Sequence, residues 1–166
     1  ELLDQISLMR TRFPDYKSYA DAGMNDIFTN EEMKDVKKLT ANHLATTCFL
    51  SNEKGTLILK ELPVQVQFSP VNTINTLDYN NDGIKDLLIC GNINKARLRF
   101  GKMDANYGIL LKGEGGGVFR YIPQHESNLQ LWGDVRSVVK VNETFLFGIN
   151  QSEMKAYKLN RNVEKQ

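Results

Sequence analysis

VNTINTLDYNNDGIKDLLICGN, residues 71–92, is the segment from which the fold reads outward. It opens on a strand-like run with apolar Val71, Ile74 and Leu77, and closes on DLLIC, a continuous apolar run of the kind that forms a buried strand. Between them Asp78, Asn80, Asp82 and Asp86 crowd into nine residues. Carboxylates that close repel one another, and a bound cation would offset the repulsion. Counted from Asp78 as position 1, Asn80 is 3, Asp82 is 5, Gly83 is 6, Ile84 is 7 and Asp86 is 9. Donors at 1, 3 and 5 converge when the chain turns tightly, Gly83 permits the turn, and Ile84 can add its main-chain carbonyl. All are hard oxygen donors, which suit calcium better than magnesium. A helix-loop-helix calcium loop would close with Glu at position 12, but Ile89 stands there and strands flank the loop. The closing ligand therefore falls to Asp86. The competing reading is an ion-free turn, since Asn, Asp and Gly are ordinary turn residues. Asp86 speaks against it, because a turn needs no further oxygen at the mouth of a buried strand.

Strand signals continue on both sides. HLATTCFLSNEKGTLILKELP reads as a hairpin with its turn at NEKG, and NYGILLKGEGGGVFRYIP as another with its turn at GEGGG. DVRSVVKV, TFLFGI and KAYKL follow as shorter strands. Laying the chain on itself matches Pro63 to Pro123, then Val71, Ile74 and Leu77 to Val135, Val138 and Val141, then Asp86 to Glu143 and Gly91 to Gly148. The offsets are 60, 64 and 57; the drop of seven is the acidic loop, which the second copy lacks. A period of about sixty residues points to a solenoid, propeller or array. Residues 1–39 read differently. Leu2, Ile6, Met9 and Phe13 mark one helix face ended by Pro14, DYKSYADA a second helix, and the Thr29/Glu32 capping box a third carrying Met33, Val36 and Leu39.

Composition excludes several classes. The 166 residues are 41% hydrophobic and 25% charged, with a net charge of +1, so no strong field argues for nucleic acid or a membrane surface. No apolar stretch reaches the roughly 18 residues of a membrane span, and these residues read without a signal-peptide pattern, with a targeting segment lost upstream as the compatible reading. The chain begins at Glu1 rather than Met, which reads as a processed or excised piece. Cys48 and Cys90 lie in strand-like runs and read as buried free thiols, with a disulfide between them as the alternative. Catalysis finds little support. His43 and His125 lack a nucleophile or zinc-type setting, GEGGG lacks the Lys-Ser/Thr of a phosphate loop, and nothing places Asp104, Glu114 and Glu126 together.

On these residues the chain resembles the FG-GAP, or VCBS, repeats of integrin α-subunit propellers, and most closely those of large bacterial secreted or surface proteins. DYNNDGIKDLLICGN looks like that family's calcium loop and following strand. Phe100-Gly101 stands where its Phe-Gly sits, YGILLKGEGGGVF is similar to its strand, turn and strand, and GDVRSVVKVN resembles the start of a next blade. The Gly-Ala-Pro half of the motif is missing, and Asn142 and Glu143 stand where the second loop would be, so one calcium site is implied. The resemblance covers about residues 44–150. It implies a mainly β fold of two propeller-type blades over 40–166, preceded by a helical segment over 1–39; the alternative is a small β-sandwich with helices. The implied function is a non-catalytic, calcium-binding module for ligand binding or adhesion, outside the cell, on its surface or in the periplasm. The alternative is a purely structural repeat that supports other domains. Calcium is the implied cofactor, at Asp78, Asn80, Asp82, Ile84 and Asp86. The implied partners are a protein or carbohydrate ligand, with self-association or packing on further blades, and neither nucleic acid nor membrane insertion.

Overall fold

Antiparallel strand pairing organises the chain from Thr47 onward, as the alternation of strand and turn signals requires. The computed structural model describes residues 2–159 and divides into two compact units, Glu1–His43 and Leu44–Gln166. No helix among the described residues is long and apolar enough to cross a membrane.

The first unit is built from single helical turns: α1 (Leu2–Gln5), α2 (Met9–Arg12), α3 (Tyr16–Ala20) and α4 (Met24–Ile27). The continuous helix expected over Leu2–Phe13 is broken at residues 6–8; short isolated helices are marginal, and among the described residues of this unit only Met9 and Ile27 are buried hydrophobics. The third expected helix does not form. Thr29 and Glu32 make the capping-box bonds, Glu32 N donating to Thr29 Oγ1 at 3.2 Å and Thr29 N to Glu32 at 2.9 Å. The chain then leaves helical geometry at Asp35, where φ is 62°. Met33, Val36 and Leu39 stay exposed, so no core rewards their stripe. Glu32 serves another purpose. It accepts two 2.8 Å bonds from Arg12, which also donates to the Ile27 carbonyl at 2.8 Å.

Among its described residues the second unit holds nine strands in three antiparallel sheets. β1 (Thr47–Ser51) and β2 (Leu57–Glu61) form a hairpin around Asn52, whose Oδ1 accepts from Lys54 N and Thr56 N at 3.0 and 2.9 Å. Pro63, a 3-10 turn at Val64–Gln67 and Pro70 then carry the chain into the middle sheet. That sheet is a meander of β3 (Val71–Leu77), β4 (Asp86–Gly91), β5 (Ile109–Gly115) and β6 (Val118–Ile122). A one-turn helix, α5 (Gln124–Ser127), leads to the third sheet: β7 (Val135–Val141), β8 (Thr144–Ile149) and β9 (Lys155–Lys158).

The mainly β expectation holds: among the described residues the strands form three small antiparallel sheets, with no closed barrel or propeller. At residues 62–70, Pro63 and Pro70, which lack N–H groups, flank the 3-10 turn and separate the β1–β2 hairpin from β3. Among the described residues the third sheet has three strands.

The β3–β4 and β7–β8 ladders carry a bulge at the same place, Val71/Thr73 in one and Val135/Ser137 in the other. Their registers correct the sequence alignment by one residue. Cys90 corresponds to Gly148 and Asp86 to Thr144, an offset of 58 rather than 57. In a strand one residue decides the face. At 58, Ile89 falls on Phe147, and each points back toward the sheet or turn that precedes it.

Two cores result. Leu88, Cys90, Leu110 and Ile122 on one face of the middle sheet meet Val135, Phe145, Phe147 and Ile149 of the third. On its other face Ile89, Ile109 and Leu111 pack with Val66 and Leu62. The outer faces remain apolar and open, with Phe49 and Leu57 at one end of the stack and Val139 and Val141 at the other. Two glycines are required by close approach. A Cβ on Gly91 would lie 1.8 Å from the Pro70 carbonyl oxygen, and one on Gly113 would lie 2.3 Å from that of Lys85.

Candidate functional site

The β3–β4 loop, residues 78–85, folds around its own side chains. Asn81 (φ 59°) and Gly83 (φ 81°) take left-handed backbone, the conformations that Asn and Gly tolerate best. This tightens the turn and draws Asp78, Asn80 and Asp82 together. Asp82 N donates to Asp78 Oδ1 at 3.2 Å and to Asn80 Oδ1 at 3.3 Å; Gly83 N donates to Asp78 Oδ2 at 3.0 Å; Ile84 N donates to Asp82 Oδ1 at 2.9 Å. Asn80 Nδ2 donates to Asp82 Oδ2 at 2.8 Å, and Lys112 Nζ reaches that same oxygen at 3.3 Å. The Asn80 amide, the Ile84 N–H and Lys112 together hold the Asp82 carboxyl below its ordinary range.

Asp86 has a different post. It is fully buried at the start of β4, where Oδ2 accepts from Tyr79 N and Oδ1 from Gly113 N, both at 2.8 Å. It thus ties the base of the loop to β5, and glycine at 113 lets β5 come close enough. So the structure gathers Asp78, Asn80 and Asp82, places the Ile84 N–H on that cluster, and engages both Asp86 oxygens at the loop base. Among the described residues no three His, Cys, Asp or Glu side chains are gathered as a metal-holding group. A metal at this loop would take its oxygens from Asp78, Asn80 and Asp82 and would compete with Lys112 for Asp82.

A buried polar network, which sequence reading did not single out, organises the opposite ends of the strands. Asn92, directly after Gly91, is fully buried with φ 104°. Its Nδ2 donates to the Asn106 and Gly133 carbonyls at 2.7 and 2.8 Å, and its Oδ1 accepts from Asn106 N at 3.0 Å. Asp134, 2% exposed, accepts from Arg136 at 2.8 Å and from Asn72 and Asn150 at 3.3 Å. Asn72 also donates to the Val135 carbonyl at 2.9 Å, joining the bulge of β3 to the start of β7. Gly133, Asp134 and Asn150 of this network line a cleft of about 440 Å³ between the loops that follow β4, α5 and β8. Trp132 and Tyr107 line it with ring centroids 4.7 Å apart. The sequence signal was slight: scattered asparagines and a single tryptophan.

Cys48 is half-buried and Cys90 buried, and both are free thiols. Burial pushes the Cys90 thiol up to about 12. Neither histidine lies in a cluster of the metal-binding kind. The chain matches no protein-family model, no curated protein and no solved structure.

Proposed function

We propose that this chain is a non-catalytic β-repeat module of the FG-GAP/VCBS kind, in a secreted or surface protein, and that its β3–β4 loop takes up one calcium ion. The observation that carries this reading is the loop itself: Asp78, Asn80 and Asp82 drawn onto one tight turn, with the base pinned by Asp86. Calcium accepts six to eight oxygens in flexible geometry, so water and main-chain carbonyls such as that of Ile84 complete the shell, and Asp86 joins it or supports it from beneath. The ion stabilises the fold and performs no chemistry. The outer sheet faces, with exposed Val139 and Val141 at one end and Phe49 and Leu57 at the other, are then surfaces for further sheets of the same kind.

Calorimetric titration of chelator-treated protein with calcium is expected to give about one site per chain, and no heat at saturating calcium would overturn the reading. Lys112→Ala removes the ammonium that competes for Asp82 and is expected to tighten binding.

A second reading, a purely structural module without an ion, is favoured by that same ion pair at 3.3 Å, since Lys112 already supplies positive charge. It expects Lys112→Ala to destabilise the protein equally in calcium and in chelator.

A further inference from the structure

The cleft at the loop ends has a chemistry of its own. Trp132, the chain's single tryptophan, is 63% exposed there, an unusual place for the largest apolar side chain. It leans on Tyr107 at an interplanar angle of 57°, so the two rings form an apolar wall. Opposite and around it stand Asn94, Asp104, Asn150 and Gln151, with Lys95 donating to Gln151. Asn94 lines the cleft, and its Oδ1 is buried without a hydrogen-bond partner among the described residues.

The walls are fixed in advance. Leu131 N donates to the Tyr107 carbonyl at 3.0 Å, Asn92 holds the Gly133 carbonyl at 2.8 Å, and Asn150 N donates to the Asp134 carbonyl at 2.8 Å. Gly133 (φ 110°) turns the chain so that the exposed Trp132 and the buried Asp134 stand on either side of it. A preformed site spends little free energy on ordering itself when a ligand enters. Its volume of about 440 Å³ lies in the range of small-molecule sites, about 300–1,000 Å³.

An apolar ring face beside amide and carboxylate groups selects a ligand with C–H groups on one side and hydroxyls at its edge. Three charged residues line the cleft: Lys95 and Asp104 carry opposite charges, and the Asp134 carboxylate is paired with Arg136 at 2.8 Å, so the lining favours neither an anion nor a cation. We propose that this cleft binds a neutral pyranose sugar, with the sugar ring stacked on Trp132 and its hydroxyls hydrogen-bonded to Asn94, Asp104 and Gln151. The proposal does not depend on calcium in the β3–β4 loop.

Because Trp132 is the only tryptophan, its fluorescence reports this cleft alone. The full chain, in chelator, is titrated with the trisaccharides of N-acetylglucosamine, glucose, galactose and mannose in turn. At least one is expected to give a saturable change, with the same midpoint by calorimetry. Trp132→Ala is expected to weaken that binding about tenfold by calorimetry, as loss of an aromatic anchor does. Its melting temperature should be unchanged, since the side chain is exposed. Trp132→Phe should retain part of the affinity. Asp104→Ala, also exposed, provides a second variant that leaves the core untouched and should weaken binding. Silence from all four sugars in both measurements would overturn the proposal, as would undiminished binding in Trp132→Ala and Asp104→Ala.

Discussion

Asp86→Ala tests whether the loop base is built as described. The carboxylate is fully buried and accepts two backbone N–H bonds of 2.8 Å, from Tyr79 and from Gly113, which lies 27 residues away in sequence. Alanine leaves both donors without a partner. A buried orphan donor costs about 1–3 kcal/mol, and the bonds lost were to a charged acceptor. Removing a buried charge returns part of that. A net loss of about 3 kcal/mol is expected, in chelator as well as in calcium, because both bonds form without a metal. Asp86→Asn keeps one accepting oxygen but sets an amide N–H₂ against the other N–H, so it should recover little. Urea unfolding followed by circular dichroism, extrapolated linearly to water, supplies the number. A loss below about 1 kcal/mol in chelator would refute the reasoning, since the orphaned donors would then have found other partners. A loss seen only in calcium would make Asp86 a ligand first and a clamp second.

Asp82→Ala should separate the ion from the fold. It is expected to abolish the calcium titration and, in calcium at about a hundred times the dissociation constant, to remove roughly 2.7 kcal/mol of stabilisation, while changing the melting temperature little in chelator. Cys90, buried and with its thiol pushed up to about 12, should resist thiol reagents at neutral pH while half-buried Cys48 reacts; equal labelling in the native protein would contradict the packing of β4 against the third sheet. Glu32 sets an acid response in the first unit. Arg12 and the Thr29 N–H lower its carboxyl from 4.5 to about 2, so its stabilising effect is present above the ordinary glutamate range and fades as pH falls toward 2. Thr29 amide shifts followed through an acid titration should show that midpoint, and a midpoint near 4.5 would mean the Arg12 pairing does not persist in solution.

Much of the β unit was legible because local chemistry and burial agree there. DLLIC is apolar on both faces and β4 is covered on both; Asn52 and Gly55 mark the first hairpin turn, and the glycines at 115–117 mark the second. The first unit was less legible. The Thr29/Glu32 capping box is real as a set of hydrogen bonds, but Glu32 spends its carboxylate on Arg12, and no core waits for Met33, Val36 and Leu39. The one-residue error in aligning β4 with β8 has a plain cause. Both segments are apolar at nearly every position, so hydrophobicity alone does not fix their face. At the loop, oxygen spacing could be read directly, whereas the second bond of Asp86 could not, because Gly113 becomes its neighbour only once β5 pairs with β4. Asn92, Asn106 and Asp134 were hidden for the same reason: each is an ordinary polar residue until three loops meet.

The unequal length of the two corresponding hairpin loops bears on the order in which the sheets form. β3 and β4 must find each other across eight residues, β7 and β8 across only Asn142 and Glu143. The longer loop loses more chain entropy on closing, so the third sheet starts with an advantage before any side chain packs. Asn142, already in left-handed backbone at φ 54°, supports that turn locally. Pulse-labelled hydrogen exchange during refolding should therefore find the amides of Val139 and Leu146 protected before those of Asn75 and Leu88, with the third sheet serving as the template on which the middle sheet condenses.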